Sequence, residues 1–134
     1  MFTLINSANL NVELDPVETI ESQRPSVAFN IVITWTTTFQ RTKIEIKEHW
    51  LEYFELNQFQ EHLQHFIEKQ NDLVKLGDMP FEPVLQLNRV DENIYFEVKC
   101  EAQFPMGAIT LKTEIEDDEV VEILERMRTW AKWW

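Results

Sequence analysis

The strongest constraint in this chain is the run from Val27 to Phe39. Val27, Phe29, Ile31, Ile33, Trp35, Thr37 and Phe39 hold the odd positions, and Ala28, Asn30, Val32, Thr34, Thr36 and Thr38 hold the even ones. The residues are β-branched or aromatic, their period is two, and no Gly or Pro intervenes. That pattern fits a pleated strand with one core face and one threonine-rich face, and it excludes a helix. A sheet seeded here needs partners. Leu10, Val12 and Leu14 alternate with polar neighbours after a turn at Asn6–Asn9, so residues 1–14 read as one or two short strands. Ile44 and Ile46 continue the pattern to about residue 48. Residues 15–26, with Pro16 and Pro25 and three acids, read as an acidic loop, because proline cannot donate to a central ladder.

The period then changes. Leu56, Phe59, Leu63, Phe66, Ile67, Leu73 and Val74 recur at helical spacings, predicting a helix over about residues 55–75, closed by Gly77 and Pro80. Residues 83–115 read as a β-meander turning at Asp91-Glu92-Asn93 and Phe104-Pro105-Met106-Gly107. A second amphipathic helix is predicted over about 118–133, with Asp117 or Asp118 capping its start and Arg126, Arg128 and Lys132 near its end. The expected architecture is a single α+β domain over residues 1–134. It has two layers: an antiparallel sheet, with two amphipathic helices packed on one face.

Composition narrows the function classes. The chain has 24 acidic and 12 basic side chains, a formal charge of −12. That charge works against phosphate-dominated nucleic-acid binding and against anionic membranes, so neither is expected as a partner. No apolar run reaches the length of a transmembrane helix. The single cysteine, Cys100, cannot close an internal disulfide, which favours a cytoplasmic location. The two glycines, Gly77 and Gly107, build no phosphate-cradling loop. His62 and His65 share a helix face but lack further ligands, so no metal or cofactor is expected. Cys100 reads as a small core hydrophobe, and no nucleophile motif surrounds Ser7, Ser22 or Ser26. No catalytic residue is assigned, and an enzyme is not expected.

One segment stands out chemically. Glu114, Glu116, Asp117, Asp118, Glu119, Glu122 and Glu125 place seven acids in twelve residues with no base among them. Helix capping needs one or two. Repulsion between acids at i and i+3 or i+4 costs a few tenths of a kcal/mol per pair. Such a surface suits a basic protein partner, with Trp133 from the tryptophan-rich end as an anchor.

The order of pieces resembles the WapI-like immunity proteins of bacterial polymorphic toxin systems. The long strand leads from Phe39 to His49-Trp50-Leu51-Glu52. A helix follows with Leu56-Asn57-Gln58-Phe59-Gln60-Glu61-His62-Leu63, then a meander, then Asp117-Asp118-Glu119-Val120-Val121-Glu122-Ile123-Leu124. The tryptophan-rich end and the scarcity of glycine in the meander turns depart from that pattern. The resemblance implies a small cytosolic protein, monomer or homodimer, that neutralises a toxin domain, often a nuclease; it carries over no catalytic residues. Alternatives are a secretion chaperone or adaptor, and a small hydrolase or small-molecule binder using paired carboxylates.

Overall fold

The computed structural model describes residues 1–77 and 79–130. The α+β class holds, and the strands divide between two four-stranded antiparallel sheets rather than forming one. Sheet A runs in the order β1 (Phe2–Asn6), β2 (Leu10–Ile20), β3 (Ser26–Thr36), β4 (Arg41–Glu52). The helix α1 (Tyr53–Ile67) follows. Sheet B then runs β5 (Leu73–Leu76), β6 (Val84–Val90), β7 (Asn93–Gln103), β8 (Met106–Ile115), and α2 (Asp117–Thr129) comes last.

The chain forms two compact units. Unit 1 holds residues Met1–Phe54 and Glu122–Trp134; unit 2 holds Glu55–Val121. The helix that follows sheet A therefore belongs mainly with sheet B, and most of the helix that follows sheet B belongs with sheet A.

In unit 1 the period-two pattern does what it predicts. Phe29, Ile31 and Ile33 are fully buried on one face of β3. Opposite them on the same face lie Leu14 and Val12 from β2, and His49, Ile46 and Ile44 from β4. The return of α2 is fixed at two points. A register shift at Leu4 interrupts the β1–β2 ladder. The Leu4 carbonyl accepts a hydrogen bond from Arg126 Nη1 at 3.2 Å, and Arg126 Nη2 donates to Glu122 one turn back at 3.3 Å. A bulge takes one backbone carbonyl out of the ladder, and a guanidinium from the helix satisfies it. Beside it the Trp130 ring stacks on Phe2 with centroids 3.9 Å apart and an interplanar angle of 8°, and meets Phe29 at 5.8 Å.

Unit 2 is held by a second arginine. Arg89, on β6, keeps only 10% of its side chain exposed. Its Nη1 donates to the carbonyl of Phe66 in the last turn of α1 at 3.1 Å, and its guanidinium lies 4.2 Å from the centre of the Phe66 ring. Asp72 and Asp117 stand 3.9 and 4.0 Å away. One cation thus caps a helix C-terminus, covers an aromatic face and sits between two carboxylates.

Three boundaries differ from the sequence reading. The segment 15–20 is strand, not loop. β1 begins at Phe2, opposite Leu14, so Pro16 lies beyond it, where β2 has β3 as its single neighbour and its missing N–H interrupts no second ladder. The helix α1 stops at Ile67 rather than about residue 75. The amide of Gln70 donates to His65 O at 2.8 Å and that of Lys69 to Phe66 O at 3.1 Å. This pair is a Schellman closure, with Lys69 at φ 60 in the left-handed position usually held by glycine. Leu73 and Val74, read as helical, belong to β5. Finally, β3 ends at Thr36, and Phe39 sits in the following turn, 97% exposed rather than in the core.

These observations fix three outcomes. Arg89→Met should lower stability to urea by about 2–3 kcal/mol, since it leaves the Phe66 carbonyl and two acids without their cation. Trp130→Ala should cost about 2–4 kcal/mol by the same measurement, from a large aromatic lost against Phe2 and Phe29. Lys69→Gly should raise stability by about 0.5–1 kcal/mol, because glycine adopts that φ without strain.

Candidate functional site

The seven acids singled out by sequence do not all come together. Glu114, Glu116 and Asp117 line a shallow depression of about 60 Å³ in unit 2, with Glu92 and Asn93 from the β6–β7 turn. Glu122 and Glu125 belong to the part of α2 in unit 1. Asp118, Glu122 and Glu125 are solvent-exposed, while Glu119 is half-buried. The Glu116 carbonyl accepts the amide of Val120 at 3.4 Å, so Glu116 is the residue at the helix boundary, and Asp117 and Asp118 fall within the first turn. Four acids from Glu116 to Glu119 therefore lie at the positive end of the helix dipole, and this accounts for them physically. Glu122 is committed to Arg126. Trp133 lies outside the described residues. Among the described residues no group of His, Cys, Asp and Glu could hold a metal ion. Burial pushes the Cys100 thiol above its ordinary value, which makes it a poor nucleophile.

Sequence reasoning missed where the cations are. On the exposed face of sheet A, β2 is acidic, β3 is uncharged, and the cations lie on β4 with one acid among them. β2 presents Glu13, Asp15 and Glu18. β3 presents Asn30, Val32 and Thr34, the threonine-rich face read from the sequence. β4 presents Arg41, Lys43, Glu45 and Lys47. The register sets these side by side: Thr36 pairs with Arg41, Thr34 with Lys43 and Val32 with Glu45, while Glu13 and Asp15 pair with Val32 and Asn30 on the other side. Lys43 Nζ lies 3.0 Å from Glu45, a surface pair with both side chains about half exposed.

Aromatics bracket this basic stripe. Phe39 stands free in the turn before β4. At the other end Trp50, 36% exposed, pairs across the strands with the fully buried Ala28. Between them a bulge at Glu48, with φ 51, keeps Lys47 and Trp50 on the exposed face while His49 turns inward. The Asn30 side chain accepts the Glu48 amide at 2.9 Å and fixes that bulge. From the turn into β4 the exposed face thus runs Phe39, Arg41, Lys43, Glu45, Lys47 and Trp50 over about 35 Å, three cations and one acid between two aromatics. The signal in the sequence was the spacing of Phe39, Arg41, Lys43, Lys47 and Trp50. It was hidden by the assumption that Phe39 continues the core face of β3.

Sheet B has a smaller counterpart. Its exposed face carries Lys75, Lys99 and Lys112, with Lys112 Nζ 4.7 Å from the centre of the Tyr95 ring. Gln86 donates to Glu97 at 2.8 Å, and Lys99 lies 3.7 Å from the same carboxylate, so the acid at the centre of this face is already occupied.

No protein-family model and no curated protein matches the chain. Solved structures do. WHY1 from Arabidopsis thaliana superposes with a TM-score of 0.51 at 9% identity, covering 96% of this chain and 82% of that one. The plant transcriptional regulator PBF-2 gives 0.50 at 8% identity, covering 95% and 84%. WHY3 from Arabidopsis thaliana gives 0.49 at 9% identity, covering 92% and 82%. The first two likenesses show a shared fold. They overturn the reading of this chain as an acidic immunity protein that neutralises a basic toxin and avoids nucleic acid, because the scaffold is one on which a transcriptional regulator is built. The physical reason for the error is that a net charge sums over the whole chain, whereas a ligand meets one face.

Proposed function

We propose that this protein binds single-stranded nucleic acid along β4 of sheet A. The observation that carries the proposal is that Arg41, Lys43 and Lys47, with Glu45 as the one acid among them, lie on the exposed face of an edge strand between Phe39 in the turn before it and Trp50. Single strands are held by cations that track phosphates and by aromatic rings on which bases stack, and any base can stack. Thr34 and Thr36 on the neighbouring strand add hydroxyl groups for hydrogen bonds to sugar and phosphate. The fold is shared with a protein that is a plant transcriptional regulator, a role in keeping with a nucleic-acid ligand.

The charge of the chain decides between single and double strands. Three cations, one of them paired with Glu45, release few counterions, and the acids on β2 stand about 10 Å from β4, two strand spacings away. A duplex offers phosphates at twice the linear density and hides its base faces, so it gains least from this surface. A flexible single strand keeps its phosphates on β4 and gains from stacking, which acid repulsion does not weaken.

Fluorescence anisotropy with labelled oligo-dT and oligo-U in low salt tests this reading. Binding should be weak, in the micromolar range, with a log–log salt slope no steeper than about −2 for three cations on a single strand. Phe39→Ala and Trp50→Ala should each weaken it by about 5- to 100-fold, the worth of one stacked base. The double variant Lys43→Glu/Lys47→Glu should abolish it, and duplex DNA should bind less well than either oligomer. No binding to either strand type at high protein concentration, or binding indifferent to all these changes, would refute the proposal and leave the cations as guards of an exposed sheet edge.

A further inference from the structure

The far end of sheet B carries a feature that neither the core nor the basic stripe uses. β6 pairs with β7 only as far as Lys99. Beyond that point β7 and β8 continue alone through the rungs Cys100–Ile109, Glu101–Ala108, Ala102–Gly107 and Gln103–Met106. Four rungs and a turn make an arm about 13 Å long with two open edges. A two-stranded ribbon is marginal in water by itself. This one also exposes Phe104 at 90%, Met106 at 86% and Ile109 at 59%.

Residues 102–110 contain no ionisable side chain, in a chain where 27% of residues are charged. Exposed edges are ordinarily guarded by Lys, Glu or Pro within the strand. The β8 edge from Met106 to Thr110 has none. Gly107 is equally without an internal reason. Its φ is not in the left-handed region, and a side chain built there would meet nothing within 4 Å. Glycine in a strand weakens it, and it is kept where another backbone must come close.

We propose that the β7–β8 arm pairs with the arm of a second copy of this chain. Two bodies of charge −12 repel each other, so self-association requires a contact free of acids, and residues 102–110 provide one. An edge strand paired antiparallel with its own copy is self-complementary about a two-fold axis. The small side chains of Ala102 and Gly107, which pair across the ribbon, leave room for a close neighbour. The three large apolar side chains together expose roughly 450 Å² per copy, so about 900 Å² of apolar surface is the ceiling for two copies. That area lies at the low end for specific interfaces and corresponds to a weak, reversible dimer. The inference is independent of nucleic-acid binding, since the arm shares no residue with β4.

Sedimentation equilibrium of the purified chain from micromolar to sub-millimolar concentration tests it. A reversible monomer–dimer equilibrium is expected, and added salt should tighten it by screening the repulsion. Gly107→Val should weaken the dimer at least tenfold while leaving the thermal midpoint unchanged or higher, because valine suits an exposed strand. Ile109→Lys should weaken it by a similar factor with no loss of fold by circular dichroism. A monomer at every concentration and salt overturns the inference. So does a dimer that both variants leave intact, which would place self-association elsewhere.

Discussion

The fold depends on bringing the last helix back to the first strand. The hydrogen bond from Arg126 to the Leu4 carbonyl joins residues 122 apart in sequence. Sheet A buries one apolar face, and the helix that follows it directly, α1, belongs mainly with the other unit. Unit 1 is therefore complete only after the rest of the chain has been laid down. The stack of Trp130 on Phe2 and the guanidinium on the bulged carbonyl supply what closes that loop. Closing so long a loop costs entropy that grows slowly with length but must be met before these contacts form. Arg89 plays the matching part in unit 2, over a shorter span, from a strand to the end of a helix.

The scarcity of glycine has a structural consequence. Glu48, Lys69, Phe81, Asp91 and Glu92 all adopt positive φ, a region that L side chains enter at a cost of about 1 kcal/mol each. Asp91 and Glu92 form a two-residue hairpin turn with both central residues left-handed, which favours Asn-Gly. Glu48 makes the bulge that keeps Trp50 on the exposed face. Lys69 ends α1 early enough to release Leu73 and Val74 to β5. The tertiary structure imposes these conformations against local preference. Gly107 is the reverse case, a glycine where neither backbone nor packing asks for one.

The charge sum concealed a charge pattern. Acids at the start of α2 complement the helix dipole and need no partner to explain them. On the exposed face of sheet A the register sets acidic β2, uncharged β3 and β4, where Arg41, Lys43 and Lys47 outnumber the Glu45 among them, each about 5 Å from the next. A ligand that spans a few residues meets the local arrangement, not the total. This is why a composition that disfavours duplex binding is compatible with a stripe suited to a single strand.

The sequence alone established the α+β class, the strand through Val27–Trp35, the meander through residue 115 and the amphipathic stripes of both helices, because period two and period 3.6 are local properties of the backbone. It identified the Asn6–Asn9 and Asp91–Glu92 turns for the same reason. It did not determine that Pro16 lies in a strand, since that depends on how far along β2 the pairing with β1 reaches. Nor did it determine that Phe39 leaves the core, since that depends on where β3 turns. The division into two sheets, the pairing of each helix with the more distant sheet and the alignment of Arg41, Lys43 and Lys47 between Phe39 and Trp50 were decided by tertiary structure. Each is a question of which strand lies beside which, and periodicity along one strand carries no information about its neighbour.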